Sequence, residues 1–328
     1  MIITKTPFRV SFAGGGSDMA AFYMEHGGCV LSTTIDRYMY IMVHPYFHTG
    51  QTVLKYSENE CVDDLNDIQH SIFRCVLNVK KISGVEITST ADVPSGTGLG
   101  SSSAFTVGLL HTLACYQGKY VSKAHLASEA CDVEIRQLGH PIGKQDQYAS
   151  AFGGLNFIEF HPDETVSVRP LILHGSTLRN LQDNLVMFYT GLKHDANVIL
   201  AEQKKNVSQA EKAENLKAMC ALAREMKNSL EQNDIEDFGA MLDEGWRRKK
   251  ELAGGVSNPT IDALYEKAMV NGALGGKLLG AGGGGFLLFY CPKERQDYLK
   301  NQLRLHPFEF NFEHDGSSVI YIGDKYWD

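Results

Sequence analysis

The 328-residue chain lacks several features that would direct its reading early. It has no Cys-x-x-Cys pair, and its seven cysteines (29, 61, 75, 115, 131, 220 and 291) are scattered and odd in number. That pattern excludes a disulfide framework and a thiolate zinc site, and it points to a reducing, cytoplasmic setting. No apolar run approaches the ~18 residues that a membrane span needs. Residues 1–12 carry Lys5 and Arg9 and show no apolar signal-peptide core. A surplus of positive charge is also missing: the net charge is −8, which argues against nucleic acid or an anionic membrane as partner. With 43% hydrophobic and 21% charged residues, the composition is that of a folded globular chain. Its length exceeds what one core usually serves, so two domains are expected.

Glycine is abundant instead, with 32 residues in three clusters. They are Gly14-Gly15-Gly16, then Gly96, Gly98 and Gly100, and then eight glycines among positions 272–285. Glycine weakens helices and strands, so such clusters mark turns or places where backbone approaches a ligand. Three of them suggest a phosphate-bearing ligand; tight turns alone are the simpler alternative.

The alternation of Val85 to Val93 predicts a half-buried strand that ends at Pro94. A glycine loop follows, and Ser101 opens an apolar run through Leu113 that reads as a buried helix. Such a helix N-terminus offers free N–H groups and a positive dipole end to an anion. The loop is neither a Walker A sequence nor a dinucleotide fingerprint, because its glycines recur at every second position. One of the serines 101–103 is expected to cap the helix. Gly28 to Val43 reads as two antiparallel strands, and residues 195–252 as long helices broken near Asn233. Asn258-Pro259 starts a further helix, and Phe286 to Tyr290 is a buried strand. The polar turn at 161–164 and Arg169-Pro170 place a boundary near 170–183 in an α+β chain.

On a helical wheel over 122–138, Glu134 falls in the middle of an apolar stripe of Ala127, Ala130, Cys131 and Leu138. A buried carboxylate must be paired, protonated or metal-bound, so Glu134 is either in a salt bridge or a hard oxygen ligand for Mg²⁺. Asp146 opens the next helical stretch, where an acid suits the dipole and, beside a phosphate loop, could take a proton from a hydroxyl.

Pro94-x-x-x-Gly98-Leu99-Gly100-Ser101-Ser102-Ser103 resembles the phosphate loop of the GHMP kinases (galactokinase, homoserine, mevalonate and phosphomevalonate kinases). Arg9 to Asp18 and Lys277 to Gly285 resemble the family's first and third motifs, in order and spacing. The resemblance implies a GHMP kinase fold, with a ribosomal protein S5 domain 2-like domain over 1–175 and a ferredoxin-like domain over 176–328. It implies ATP and Mg²⁺ as cofactors, with Ser101 and Glu134 as metal ligands, Asp146 as catalytic acid/base and Arg9 beside it. Asp18 then accepts a sugar hydroxyl. Pro94, Gly96, Thr97, Gly98, Leu99, Gly100, Ser101 and Ser102 form the ATP loop, and Gly282 and Gly283 lie beside the substrate.

Further runs, among them Pro141 to Gln147 and Asp243 to Lys249, resemble the branch that phosphorylates the anomeric hydroxyl of a sugar phosphate. Other sugar 1-kinases of the family remain open, and so does a non-catalytic sugar sensor, which the joint presence of Ser101, Glu134 and Asp146 disfavours. In the galactokinase branch a Glu-His pair lies between the first motif's arginine and aspartate; here those places hold Gly15 and Gly16. The exchange makes room at the far end of the sugar and removes an anion. Lys144, Lys193 and Arg37 are the candidate cations for a phosphate there.

Overall fold

The computed structural model describes residues 1–48, 50–192, 196–207 and 209–323. In chain order it starts with β1 (Ile2–Ala13), α1 (Ala20–His26), β2 (Gly28–Pro45), β3 (Thr52–Lys55), β4 (Asn59–Val62), α2 (Ser71–Lys80) and β5 (Val85–Ala91). Next come α3 (Ser101–Tyr116), α4 (Lys123–Cys131), α5 (Gln145–Phe152), β6 (Asn156–Phe160), β7 (Val166–Pro170), α6 (Gly175–Asp183) and β8 (Leu185–Tyr189). The rest is α7 (Ala196–Asn206), α8 (Ala210–Glu231), α9 (Phe238–Lys250), α10 (Pro259–Val270), β9 (Gly275–Leu278), β10 (Phe286–Tyr290), α11 (Lys293–Leu303), β11 (Pro307–Phe308), β12 (Phe312–Glu313) and β13 (Ser318–Ile322).

Among the described residues, nine strands form one sheet around β2, with the main order β13-β1-β2-β5-β3-β4. Residues 28–45 are a single strand rather than the two expected. Asp36 and Arg37 do not turn the chain; they bulge where the register against β1 slips between Pro7 and Phe8. Pro7 has no N–H to give the ladder at that point. The long β2 therefore serves several partners in turn: β6 along its first part, β12 near Ile35, and β5 along its last part. The buried helix α3 lies on β1 and β2, with Phe105, Leu109 and Leu113 in the core.

A second, antiparallel sheet has the order β11-β8-β10-β9, and α9 packs on β9 and β10. The period of two in β10 serves two cores. Phe286, Leu288 and Tyr290 join the main cluster, while Leu287 and Phe289 join a smaller one with Trp246 and Tyr265. Two helix signals held in detail. The Asn258 side chain accepts from Thr260 N and Ile261 N with Pro259 following it, and the break between α8 and α9 contains Asn233 at φ +61°.

Part of the chain beyond the expected division at 175/176 joins the first sheet. β12 and β13 return to the first sheet, where β13 pairs with β1 and β12 with β2. Helix α8 also packs on β2 and β1 and fills the main core with Leu216, Met219 and Met226. The first sheet thus takes an edge strand and part of its cover from beyond residue 176. We therefore expect a fragment of residues 1–175 to show no cooperative thermal transition by circular dichroism under conditions where the full chain melts sharply.

Candidate active site

The loop between β5 and α3 explains its own glycine spacing. Gly96, Gly98 and Gly100 have φ of +74°, +86° and +76°, so every second residue is left-handed. Such alternation turns successive N–H groups toward one concavity, a nest for an anion. Gly100 occupies the N-cap position of α3, and no side chain caps that helix. The expected serine cap is absent because all three serines lie inside the first turn of α3, where Ser102 Oγ instead donates to Glu134 Oε1 at 2.7 Å.

Glu134 lies fully buried in a π-helical turn over Asp132–Gln137, directly after α4. A wider turn of this kind rotates the residues within and beyond it, so Val133 joins the buried face and Leu138 leaves it half-exposed. The second carboxylate oxygen accepts from Gln147 Nε2 at 2.7 Å. Both partners are neutral, so the salt-bridge reading is not what the structure shows. Burial raises the pKa of Glu134, with the Ser102, Gln147 and Ser103 side chains acting against that rise.

Arg9 of β1 and Asp146 in the first turn of α5 form a two-pronged ion pair, Nε to Oδ1 at 2.8 Å and Nη2 to Oδ2 at 2.7 Å. Arg9 Nη1 also donates to Gly98 O, which ties this pair to the loop. Asp18 is buried, and its Oδ1 and Oδ2 accept from Gly16 N (3.0 Å) and Gln145 N (3.1 Å). It therefore caps α5, the helix that presents Asp146. Burial first, and then the charge of Asp146, raise the Asp18 pKa against these backbone donors.

A cavity of about 340 Å³ gathers these groups. Arg9, Gly15, Gly16, Asp18, Gly96, Gly98, Gly100, Ser101, Ser102, Glu134 and Asp146 all line it. Other residues singled out in the sequence fall elsewhere. Thr97 and Leu99 are buried beneath the loop, and Pro94 is exposed. Gly282 and Gly283 pack on Val256, Gly283 N donating to Val256 O at 2.9 Å; from that motif Gly280 and Ala281 reach the cavity instead. Lys144 lies over the Tyr23 ring, donates to Glu164 O, and lines an adjoining hollow that shares Asp18, Met19 and Ile142. Arg37 donates to Glu309 O and lies over the Phe308 ring. Lys193 is outside the described residues.

Sequence reasoning passed over two buried lysines in the wall, Lys249 and Lys277. Lys249 belongs to the basic run Arg247 to Lys250, which reads as ordinary charge at a helix C-terminus. A wheel over α9 would have found it, since Lys249 follows Leu242 and Trp246 on the buried stripe.

The chain matches the family models "GHMP kinases N terminal domain" over residues 70–154 and "GHMP kinases C terminal" over 226–306. It is 31% identical to a D-glycero-alpha-D-manno-heptose 7-phosphate kinase of Campylobacter jejuni, across 96% of this chain and 97% of that one. It belongs to the GHMP kinases. This GHMP kinase is an ATP-dependent carbohydrate kinase. It is also 27% identical to a galactokinase of Pyrococcus furiosus, with 90% of each chain covered. In fold it is similar to a crystal structure described as a D-glycero-D-manno-heptose 1-phosphate kinase of Bacteroides thetaiotaomicron, with a TM-score of 0.80 at 24% identity over 99% of this chain and all of that one. Among the described residues no helix is long and apolar enough to cross a membrane.

The loop fits the rest of the kinase by backbone contact alone. A Cβ on Gly98 would lie 2.5 Å from Leu279 O, at a φ that L side chains rarely adopt. Gly98→Ala should therefore weaken ATP binding at least about tenfold and lower stability by ~2 kcal/mol or more, as read by calorimetric titration and thermal melting.

Proposed function

We propose that this GHMP kinase transfers the γ-phosphoryl group of ATP to the anomeric hydroxyl of D-glycero-D-manno-heptose 7-phosphate, giving the 1,7-bisphosphate. The observation that carries the choice of sugar is Gly15 in the cavity wall, since Gly16 beside it is held to glycine by its φ of +99°. A Cβ on Gly15 would meet nothing closer than Gln145 Nε2 at 3.8 Å, so the backbone there tolerates a side chain and yet none is present. The space suits a longer sugar with an anionic end. The likeness to the Campylobacter enzyme over nearly its whole length supports the same reading.

Asp146 is assigned as the base. Arg9 occupies one lone pair on each of its oxygens and leaves others able to accept the proton of the anomeric hydroxyl. The Arg9 link to Gly98 O sets that acid at a fixed place beside the amides that would hold the triphosphate. Phosphoryl transfer depends mainly on in-line placement and charge neutralisation, and a rigid acid beside an amide nest supplies the first of these. Asp18 is assigned to a sugar hydroxyl.

For the metal, the donor set suits Mg²⁺: a buried carboxylate and a hydroxyl, both hard oxygen donors, with no cation among the carboxylate's hydrogen-bond partners. Glu134 and Ser102 would hold it, Ser102 taking the place first assigned to Ser101. When bound, Mg²⁺ neutralises charge on the phosphates.

Two measurements test this reading. In a kinetic panel with ATP and Mg²⁺, kcat/KM for the heptose 7-phosphate should exceed that for unphosphorylated heptose, galactose and fucose by about tens-fold, the scale of charge-assisted contacts. Equal values with and without the 7-phosphate would instead favour a plain sugar 1-kinase. Asp146→Asn should lower kcat roughly 10²–10⁴-fold with ATP affinity little changed; a loss confined to nucleotide binding would remove Asp146 from the role of base.

A further inference from the structure

Lys249 has no part in the roles assigned so far, yet it stands in the reaction cavity. It is 7% exposed, and its Nζ donates to the carbonyl oxygens of Gly280 and Leu278 rather than to a carboxylate. The charged groups that face it are Arg9, Lys277, Asp146 and Asp18. Both aspartates are already engaged, Asp146 by the Arg9 fork and Asp18 by two backbone amides. Lys277 is itself buried and gives its Nζ to Phe12 O at 2.9 Å. Three basic side chains thus surround a cavity in which both carboxylates facing them are satisfied. Burying an ammonium without a counter-charge is costly, and a Met of similar length would avoid the cost. An anionic ligand supplies the missing counter-charge.

The place of that anion is set by the anchors of Lys249. Its acceptor Gly280 is pressed against the phosphate loop, since a Cβ on Gly280 would lie 2.4 Å from Gly98 Cα. Gly98 in turn accepts from Arg9, the partner of Asp146. Lys249 is therefore fixed at the junction of nucleotide loop and acid. We propose that Lys249 is a catalytic residue whose ammonium contacts the phosphoryl group as it passes from ATP to the sugar oxygen. This rests on the kinase reading of the cavity, and not on the identity of the sugar.

In the free protein, burial and then the charge of Arg9 lower the Lys249 pKa to about 7, with Asp146 and Asp18 acting against the fall. An arriving phosphoryl group raises it again, so binding takes up a proton at a pH above that value. Lys249→Met should lower kcat about 10²–10³-fold while KM for the sugar phosphate moves less than about threefold, and Lys249→Arg should recover part of the loss. A melting temperature for the Met variant at or above that of the unsubstituted protein rules out misfolding as the cause. Binding of a non-hydrolysable ATP analogue with Mg²⁺ is followed by calorimetry at about pH 8 in two buffers of different ionisation enthalpy. It should show proton uptake by the unsubstituted protein and clearly less by the Met variant, in which only the second buried lysine, Lys277, remains.

A Met variant with kcat within about threefold of normal overturns the proposal. So does a loss seen only in KM for phosphorylated sugars, which would assign Lys249 to the substrate's own phosphate. If the unsubstituted protein turns over no sugar in the panel, the choice of substrate has failed; the proton-uptake measurement needs no sugar and still tests the contact of Lys249 with the phosphates, its absence overturning the proposal.

Discussion

Backbone meets backbone where Gly98 lies against Leu279 and Gly280, and the rest of the site is set by that contact. No side chain fits between the two segments. One belongs to the loop before α3 on the first sheet, and the other follows β9 of the second sheet. The contact locates the amide nest relative to the second sheet, and the hydrogen bond from Arg9 to Gly98 O carries that position on to Asp146. Gly285, whose Cβ would strike Thr97 O, extends the same junction by one more point. The two glycine clusters are thus two halves of one joint, and their sequence separation of nearly two hundred residues hides that.

Much of this was legible in the sequence, for reasons that differ from residue to residue. The loop glycines were readable because a nest needs a left-handed residue at every second place, and glycine takes that conformation without strain. Glu134 was readable because a carboxylate on an apolar stripe conflicts with burial, and such a conflict has few resolutions. The wheel could not show the π-helical turn, which depends on tertiary contacts beyond α4. Nor could it show that Ser102 rather than Ser101 meets Glu134, because adjacent residues at a helix start differ only in direction. Gly282 and Gly283 misled for the opposite reason. Their cluster was correctly placed near the site, but composition does not distinguish glycines that face a ligand from glycines that face Val256.

Asp18 shows how one side chain carries both architecture and chemistry. Its carboxylate accepts the amides of Gly16 and Gln145, and so joins the first glycine turn to the helix that presents Asp146. Gly143 is small for the same reason, since a Cβ there would overlap Asp18 Oδ2. A change at Asp18 would therefore move the acid as well as any sugar contact, and its effect on rate would not measure the contact alone.

The pairing of β13 with β1 gives the order of synthesis a structural meaning. Strand β1, which bears Arg9, is made more than three hundred residues before the strand that pairs with its outer edge. At ~5–20 residues per second that interval is roughly 15–60 s. Throughout it, the Ile2–Lys5 part of β1 presents an open row of N–H and C=O groups, which is the form in which sheets recruit foreign strands. The nascent chain thus passes through a period of vulnerability that its finished structure conceals.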